Sequence, residues 1–243
     1  TKETESKIIH YSMNIKPCKY PSYTLQSPAC EDISHNKVHS VFSVDNTGTR
    51  DIDDAISVEY YDNKIKIGVH ITDVAHVFQE RLSSSDKINL LDFAMKRSSS
   101  TYTDIENTPM LPPYLTYNEL SLSQGKIRKA ITLWLEFEND ILIRHEFENC
   151  YVKNECAIDY GALSERFPIE FNILSRLSKH ADPKDIVAWT MLTYNKYFAA
   201  TYSNILLRHQ IGDEKAQYSM AESQLKHEHI DCLYTHATSP IRR

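Results

Sequence analysis

The sequence predicts an α+β domain, sheet first and helices after, on three observations. Short segments of period-two hydrophobicity recur through the first half, polar dipeptides of turn type join them in pairs, and from Tyr160 onward the periodicity becomes helical. The expected arrangement is a set of antiparallel β hairpins forming a sheet in the N-terminal half, with helices from the C-terminal half packed around it.

In chain order, residues 1–40 contain three prolines, scattered charge and no sustained period, and read as an extended lead-in to a domain at 41–243. Residues 41–44 and 55–61 read as strands, Asp62-Asn63 as a turn, and the next strand alternates with Ile65, Ile67, Val69 and Ile71 on one face. Ser84 or Ser85 is placed to cap a helix to about Arg97, with Ile88, Leu91, Ala94 and Met95 on its apolar face. After the irregular Pro109-Met110-Leu111-Pro112-Pro113, residues 130–137 and 141–152 form a second hairpin joined through Asn139-Asp140. Asp182 as N-cap, Pro183 at the first helical position and Asp185 in the first turn open a long helix expected to run to about Arg208.

Composition narrows the class. At 243 residues the chain is long enough to bury a sizeable core, and 41% hydrophobic with 25% charged residues is ordinary for a globular protein. Five cysteines with no C-x-x-C spacing suggest neither a disulfide framework nor a structural zinc, and fit the cytoplasm or another reducing intracellular compartment. No apolar run is long enough to span a membrane and no secretory signal is visible, so no membrane partner is expected. The net charge of -6 argues against a uniformly basic surface for nucleic acid, although Lys126, Arg128 and Lys129 cluster and Arg242 and Arg243 end the sequence.

The densest polar feature is Asp45-Asn46-Thr47-Gly48-Thr49-Arg50-Asp51-Ile52-Asp53-Asp54, between two strands. Four carboxylates so close repel one another unless a cation offsets them, and an all-oxygen ligand set suits a hard ion, Mg²⁺ or in its place Mn²⁺. A calcium loop of EF-hand type is excluded by spacing, since its sixth position is Arg50 and its twelfth Ile56. Taken alone, the cluster fits a solvated acidic turn as well as it fits a metal site.

The wider pattern resembles the RNase II, or RNB, family of exoribonucleases. The resemblance lies in Asp45-x5-Asp51-x-Asp53-Asp54-Ala55 followed by Gly68-Val69-His70-Ile71-Thr72-Asp73-Val74, then Tyr102, Pro109-Met110-Leu111-Pro112, Glu119-Leu120-Ser121-Leu122, Leu133-Trp134-Leu135-Glu136, Tyr160 and Tyr234-Thr235-His236-Ala237-Thr238-Ser239-Pro240-Ile241-Arg242-Arg243. It implies an RNB catalytic domain that hydrolyses single-stranded RNA from the 3′ end and releases nucleoside 5′-monophosphates. Asp45, Asp51, Asp53 and Asp54 would hold magnesium and orient the attacking water, with Asp51 and Asp53 counted as catalytic. Arg242 would be the catalytic arginine, its planar fork gripping a phosphate oxygen. Arg243 would contact phosphate, and Tyr102 and Tyr160 would stack or clamp nucleotides.

His70 is expected to be a core histidine, Asp73 a turn carboxylate, and His227-Glu228-His229 a solvated helix face. The resemblance also implies a shortened domain: relatives carry oligonucleotide-binding modules before it and an S1 module after it. RNA gripping is therefore expected to be weaker or borrowed from a protein partner. Ala188 and Trp189 stand where the family places glutamates. The alternative of another class is a catalytically impaired RNB-fold module that binds RNA or regulates; a calcium-stabilised structural domain is a third reading.

Overall fold

The computed structural model describes residues 19–26, 37–103, 107–211, 214–220 and 226–241. Strands β1 (Val38–Asp45), β2 (Asp54–Tyr61) and β3 (Lys64–Thr72) lead into helices α1 (Val74–Glu80) and α2 (Ser84–Arg97). A ribbon of β4 (Thr101–Tyr102) and β5 (Asn107–Thr108) and a π-helical turn at Leu115–Leu120 precede the long strands β6 (Ile127–Glu138) and β7 (Ile141–Asp159). Helices α3 (Leu163–Arg166), α4 (Pro168–Ser178) and α5 (Pro183–Thr201) follow, then a second ribbon of β8 (Leu206–His209) and β9 (Gln217–Met220). The architecture is α+β, as the sequence predicts.

The hairpins do more than form an open sheet: they close into a barrel in the order β1-β2-β3-β6-β7. The pairs β1/β2, β2/β3, β3/β6 and β6/β7 are antiparallel, and the closing pair β1/β7 is parallel, running from Val38 opposite Tyr151 to Asp45 opposite Asp159. β1 starts three residues before the expected Val41, and β7 continues to Asp159 rather than stopping at Val152. Asn139 and Asp140 both adopt positive φ (51° and 63°), the geometry that turns β6 tightly into β7.

One face of the barrel strands carries Phe42, Val44, Ile56, Ile65, Ile67, Val69, Ile71, Leu133 and Leu135, and packs against Leu163, Leu174, Ile186 and Tyr194 of α3, α4 and α5. The alternation expected of β3 is what builds this layer. The other face, turned inward by closure, is partly polar. There Ser57 Oγ lies 2.9 Å from His70 Nε2, and His70 Nδ1 lies 2.8 Å from the Thr132 hydroxyl. His70 is fully buried, and desolvation pushes its pKa down to about 3, so the ring is neutral, as expected of a core histidine. Gly68 permits this packing, because a Cβ there would stand 2.5 Å from both His70 Nε2 and Ser57 Oγ.

Three local expectations are corrected. α2 is capped by Ser83, whose side chain accepts from Asp86 N, and its buried residue is Leu90; Ile88, Leu91 and Met95 are exposed, with Leu91 and Met95 lining an apolar groove of about 890 Å³. The long helix, opened by Asp182 as expected, stops at Thr201 instead of Arg208. Beyond it the burial becomes alternate, Leu207 and His209 inward and Leu206 outward, which is a strand pattern. His227 is no solvated helix residue but is buried, with Arg208 donating to its Nε2 at 2.7 Å.

Within residues 1–40, the stretch 19–26 lies against the fold. The Tyr20 hydroxyl donates to Pro109 O at 2.7 Å, Gln26 N donates to Arg81 O at 2.9 Å, and Tyr23 and Leu25 pack on the cluster of Val77, Phe78, Leu90, Leu111 and Ile241. Among the described residues no helix is long and apolar enough to cross a membrane.

Candidate active site

The acidic segment links the last residue of β1, Asp45, to the first of β2, Asp54, at the barrel rim. The segment is fixed by hydrogen bonds rather than by packing alone. Ile52 N donates to Ser121 Oγ at 3.0 Å, the same hydroxyl donates to Arg50 O at 2.8 Å, and Leu122 N donates to Ile52 O at 2.9 Å. On its far side Thr72 N donates to Asp53 O at 2.9 Å. Gly48, at φ +84°, makes the turn that Thr49 N closes onto Asn46 O at 3.1 Å.

These constraints fix where each of the four carboxylates is held. Asp45 and Asp54 line one pocket of about 240 Å³ with Asn46, Thr49, Tyr160, Thr238 and Ser239, backed by α5. Asp51 is buried and accepts from the Tyr102 hydroxyl. Asp53 has no exposed surface, and its Oδ1 accepts from Ile241 N at 2.8 Å, across 188 residues of sequence. The tyrosine ring of residue 102 remains about half exposed on β4. Beside Asp51, the Arg50 guanidinium lies 4.3 Å over the Tyr117 ring; burial, and then the Asp51 charge, raise the Tyr117 pKa.

Asn195 on α5 was not expected to matter, yet it organises the C-terminal segment. Its amide nitrogen donates to Thr238 Oγ1 at 3.0 Å and to the Tyr234 hydroxyl at 3.2 Å, and its oxygen accepts from Ala237 N at 2.7 Å. It is 1% exposed. The sequence signal was a lone asparagine on a helical face otherwise formed by Ile186, Val187, Thr190 and Tyr194. Asp73 is the N-cap of α1, accepting from His76 N at 2.9 Å, as a turn carboxylate should. Arg242 and Arg243 lie outside the described residues, although Ile241, which Asp53 holds, directly precedes Arg242 in sequence.

A family model described as the RNB domain matches residues 31–172. The chain belongs to the RNB-domain family. It is 31% identical over 160 residues to ribonuclease R of Chlamydia pneumoniae, a match covering 65% of this chain and 21% of that protein. Among solved structures, the Mycoplasma genitalium RNase R complex with ribose-methylated single-stranded RNA shares the fold at TM-score 0.71 and 16% identity, over 98% of this chain and 52% of that one. Yeast Ssd1, described as a pseudonuclease, shares it at TM-score 0.72 and 14% identity, over 93% of this chain and 41% of that one. The chain spans about a fifth of the length of the curated relatives it matches.

The RNB family implies a divalent ion, a hard cation that takes oxygen donors. Among the described residues, no group of three or more His, Cys, Asp or Glu side chains is placed to hold a metal. Mg²⁺ does not require one, because it is commonly bound through one or two carboxylates while keeping waters and taking substrate phosphate oxygens. Asp45 and Asp54, sharing one pocket, fit that pattern.

Proposed function

We propose that this RNB domain is an exoribonuclease that hydrolyses single-stranded RNA from the 3′ end in the presence of Mg²⁺ and releases nucleoside 5′-monophosphates. The observation that carries the reading is that Asp45 and Asp54 enter one pocket with Tyr160, while Asp53 grips the main chain just before Arg242. A divalent ion bound at that pair would neutralise the scissile phosphate and lower the pKa of an attacking water.

The chain's own groups supply the rest. Asp53, through Ile241 N, anchors the segment that carries Arg242, whose guanidinium is suited to hold a phosphate oxygen as charge builds on it. Asp51 fixes the Tyr102 hydroxyl, leaving a half-exposed ring on which a base can stack. Tyr160 borders the same pocket and would be the second nucleotide contact. Stacking is indifferent to base identity, which suits stepwise degradation, and Arg243 adds a phosphate contact. Binding modules supplied by a protein partner would strengthen the grip.

A second reading, an RNB-fold module that binds RNA without cutting it, is favoured by the likeness to the pseudonuclease Ssd1. Incubation of a 5′-labelled single-stranded RNA with the chain, in Mg²⁺ or in EDTA, separates the two. A Mg²⁺-dependent ladder shortening from the 3′ end, absent for Asp54→Asn, is expected of the exonuclease. Intact RNA with a retained gel shift would establish the binding module.

A further inference from the structure

The wall of the pocket opposite the barrel rim is a stripe of α5: Lys184, Val187, Ala188 and Met191 fall at i, i+3, i+4 and i+7 and all face the cavity. Lys184 is the only basic side chain among the described residues lining it. Its ammonium lies 5.7 Å from the Tyr160 ring centroid, and among the described residues no carboxylate pairs with it. A cation held over an aromatic face keeps its hydrogen-bonding protons available. One turn further on, Ala188 is small and leaves space on the same wall. The hydroxyl of Ser239 borders the same cavity, and Lys184 sits in the first turn of a 19-residue helix, where the backbone dipole also favours negative charge.

The pocket therefore has two positions suited to anionic groups, the Asp45 and Asp54 pair once a divalent ion is bound there and the Lys184 ammonium. Its volume of about 240 Å³, below the roughly 300–1,000 Å³ of drug-sized ligand sites, suits the sugar-phosphate portion of one nucleotide, with the base toward the opening. We propose that Lys184 reads a second phosphate on that nucleotide, so that the domain accepts RNA ends bearing a 3′-phosphate. The terminal nucleotide presents its 5′-phosphate to the carboxylate pair and directs its 3′ substituent to Lys184 beside the Tyr160 ring. This inference rests on the exonuclease reading for the orientation of the nucleotide, but it concerns a residue that takes no part in the hydrolysis itself.

Calorimetric titration of the full chain in Mg²⁺ buffer with adenosine 5′-monophosphate and adenosine 3′,5′-bisphosphate tests it. The bisphosphate is expected to bind about tenfold more tightly, the size of one partly exposed charge-assisted contact. Lys184→Met should bring the ratio to about one, and Lys184→Arg should keep it. Equal affinities for the unsubstituted chain, no binding of the bisphosphate, or a preference that survives in Lys184→Met would overturn the proposal. RNA cleavage is scored separately on 3′-hydroxyl RNA. A chain that keeps the ligand preference but cuts no RNA refutes the exonuclease and leaves the phosphate subsite standing; one that cuts RNA without the preference does the reverse.

Discussion

Asp53 does two jobs with one carboxyl group, placing an ionisable side chain in a fully buried position and holding Ile241 N with Oδ1. Substitution separates them. Asp53→Asn keeps an oxygen that can accept from Ile241 N but removes the ionisable carboxyl, so cleavage should fall about a hundredfold or more with little change in urea midpoint. Asp53→Ala loses both and should also cost about 1–3 kcal/mol, the penalty for an unsatisfied buried donor. His70 is the other residue whose burial has a measurable signature. Its folded pKa of about 3 lies below its unfolded value, so the unfolded chain takes up the proton first as pH falls. The neutral ring's contribution is complete above about pH 6.5 and is lost progressively toward pH 3. Between pH 7 and pH 5 urea unfolding should show about 2 kcal/mol of lost stability from this group, and that part of the slope should vanish in His70→Gln.

At the scale of elements, the site is a junction of three: the barrel rim, the π-helical turn with the Ser121 hydroxyl after it, and α5 with its buried Asn195. Asn195→Ala removes the partners of Ala237 N, Thr238 and Tyr234 at once. A loss of about 2–4 kcal/mol is expected in chemical denaturation, with an RNA-cleavage defect that persists at temperatures where the variant is fully folded. A purely structural role would predict normal cleavage under those conditions. The elements also show what sequence makes legible. Alternation in β3 and the Asn139-Asp140 turn were readable because both are local. The end of α5 was not, since Leu206 and Leu207 continue an apolar run whose period only the β8/β9 pairing reveals. The apolar stripe of α2 was read as inward because composition cannot tell a groove lining from a core. The aspartates announced themselves by density, but which two share a pocket depends on how Ser121 folds the segment, a contact across 69 residues from Ile52.

For the whole molecule, a cation bound to the native state alone raises stability by an amount set by its affinity, about 1.4 kcal/mol at ten times the dissociation constant. Mg²⁺ should therefore raise the unfolding temperature of the unsubstituted chain by a few degrees, and should do so far less for Asp54→Asn. An equal rise in both would place the ion elsewhere. The parallel pairing of β1 with β7 carries a different consequence. About 110 residues separate Val38 from its partner Tyr151, so the last seam of the barrel is also its most distant contact in sequence. A chain emerging from the ribosome can zip β2 to β3 early, but β1 keeps one open edge until β7 has been synthesised, and such edges invite intermolecular pairing. Asp45 takes its final position only when Asp159 arrives beside it. Nascent chains stalled before that point should lack the acidic pocket and be the species most prone to aggregate, so assembly of the site coincides with the slowest step of folding rather than with the synthesis of its aspartates.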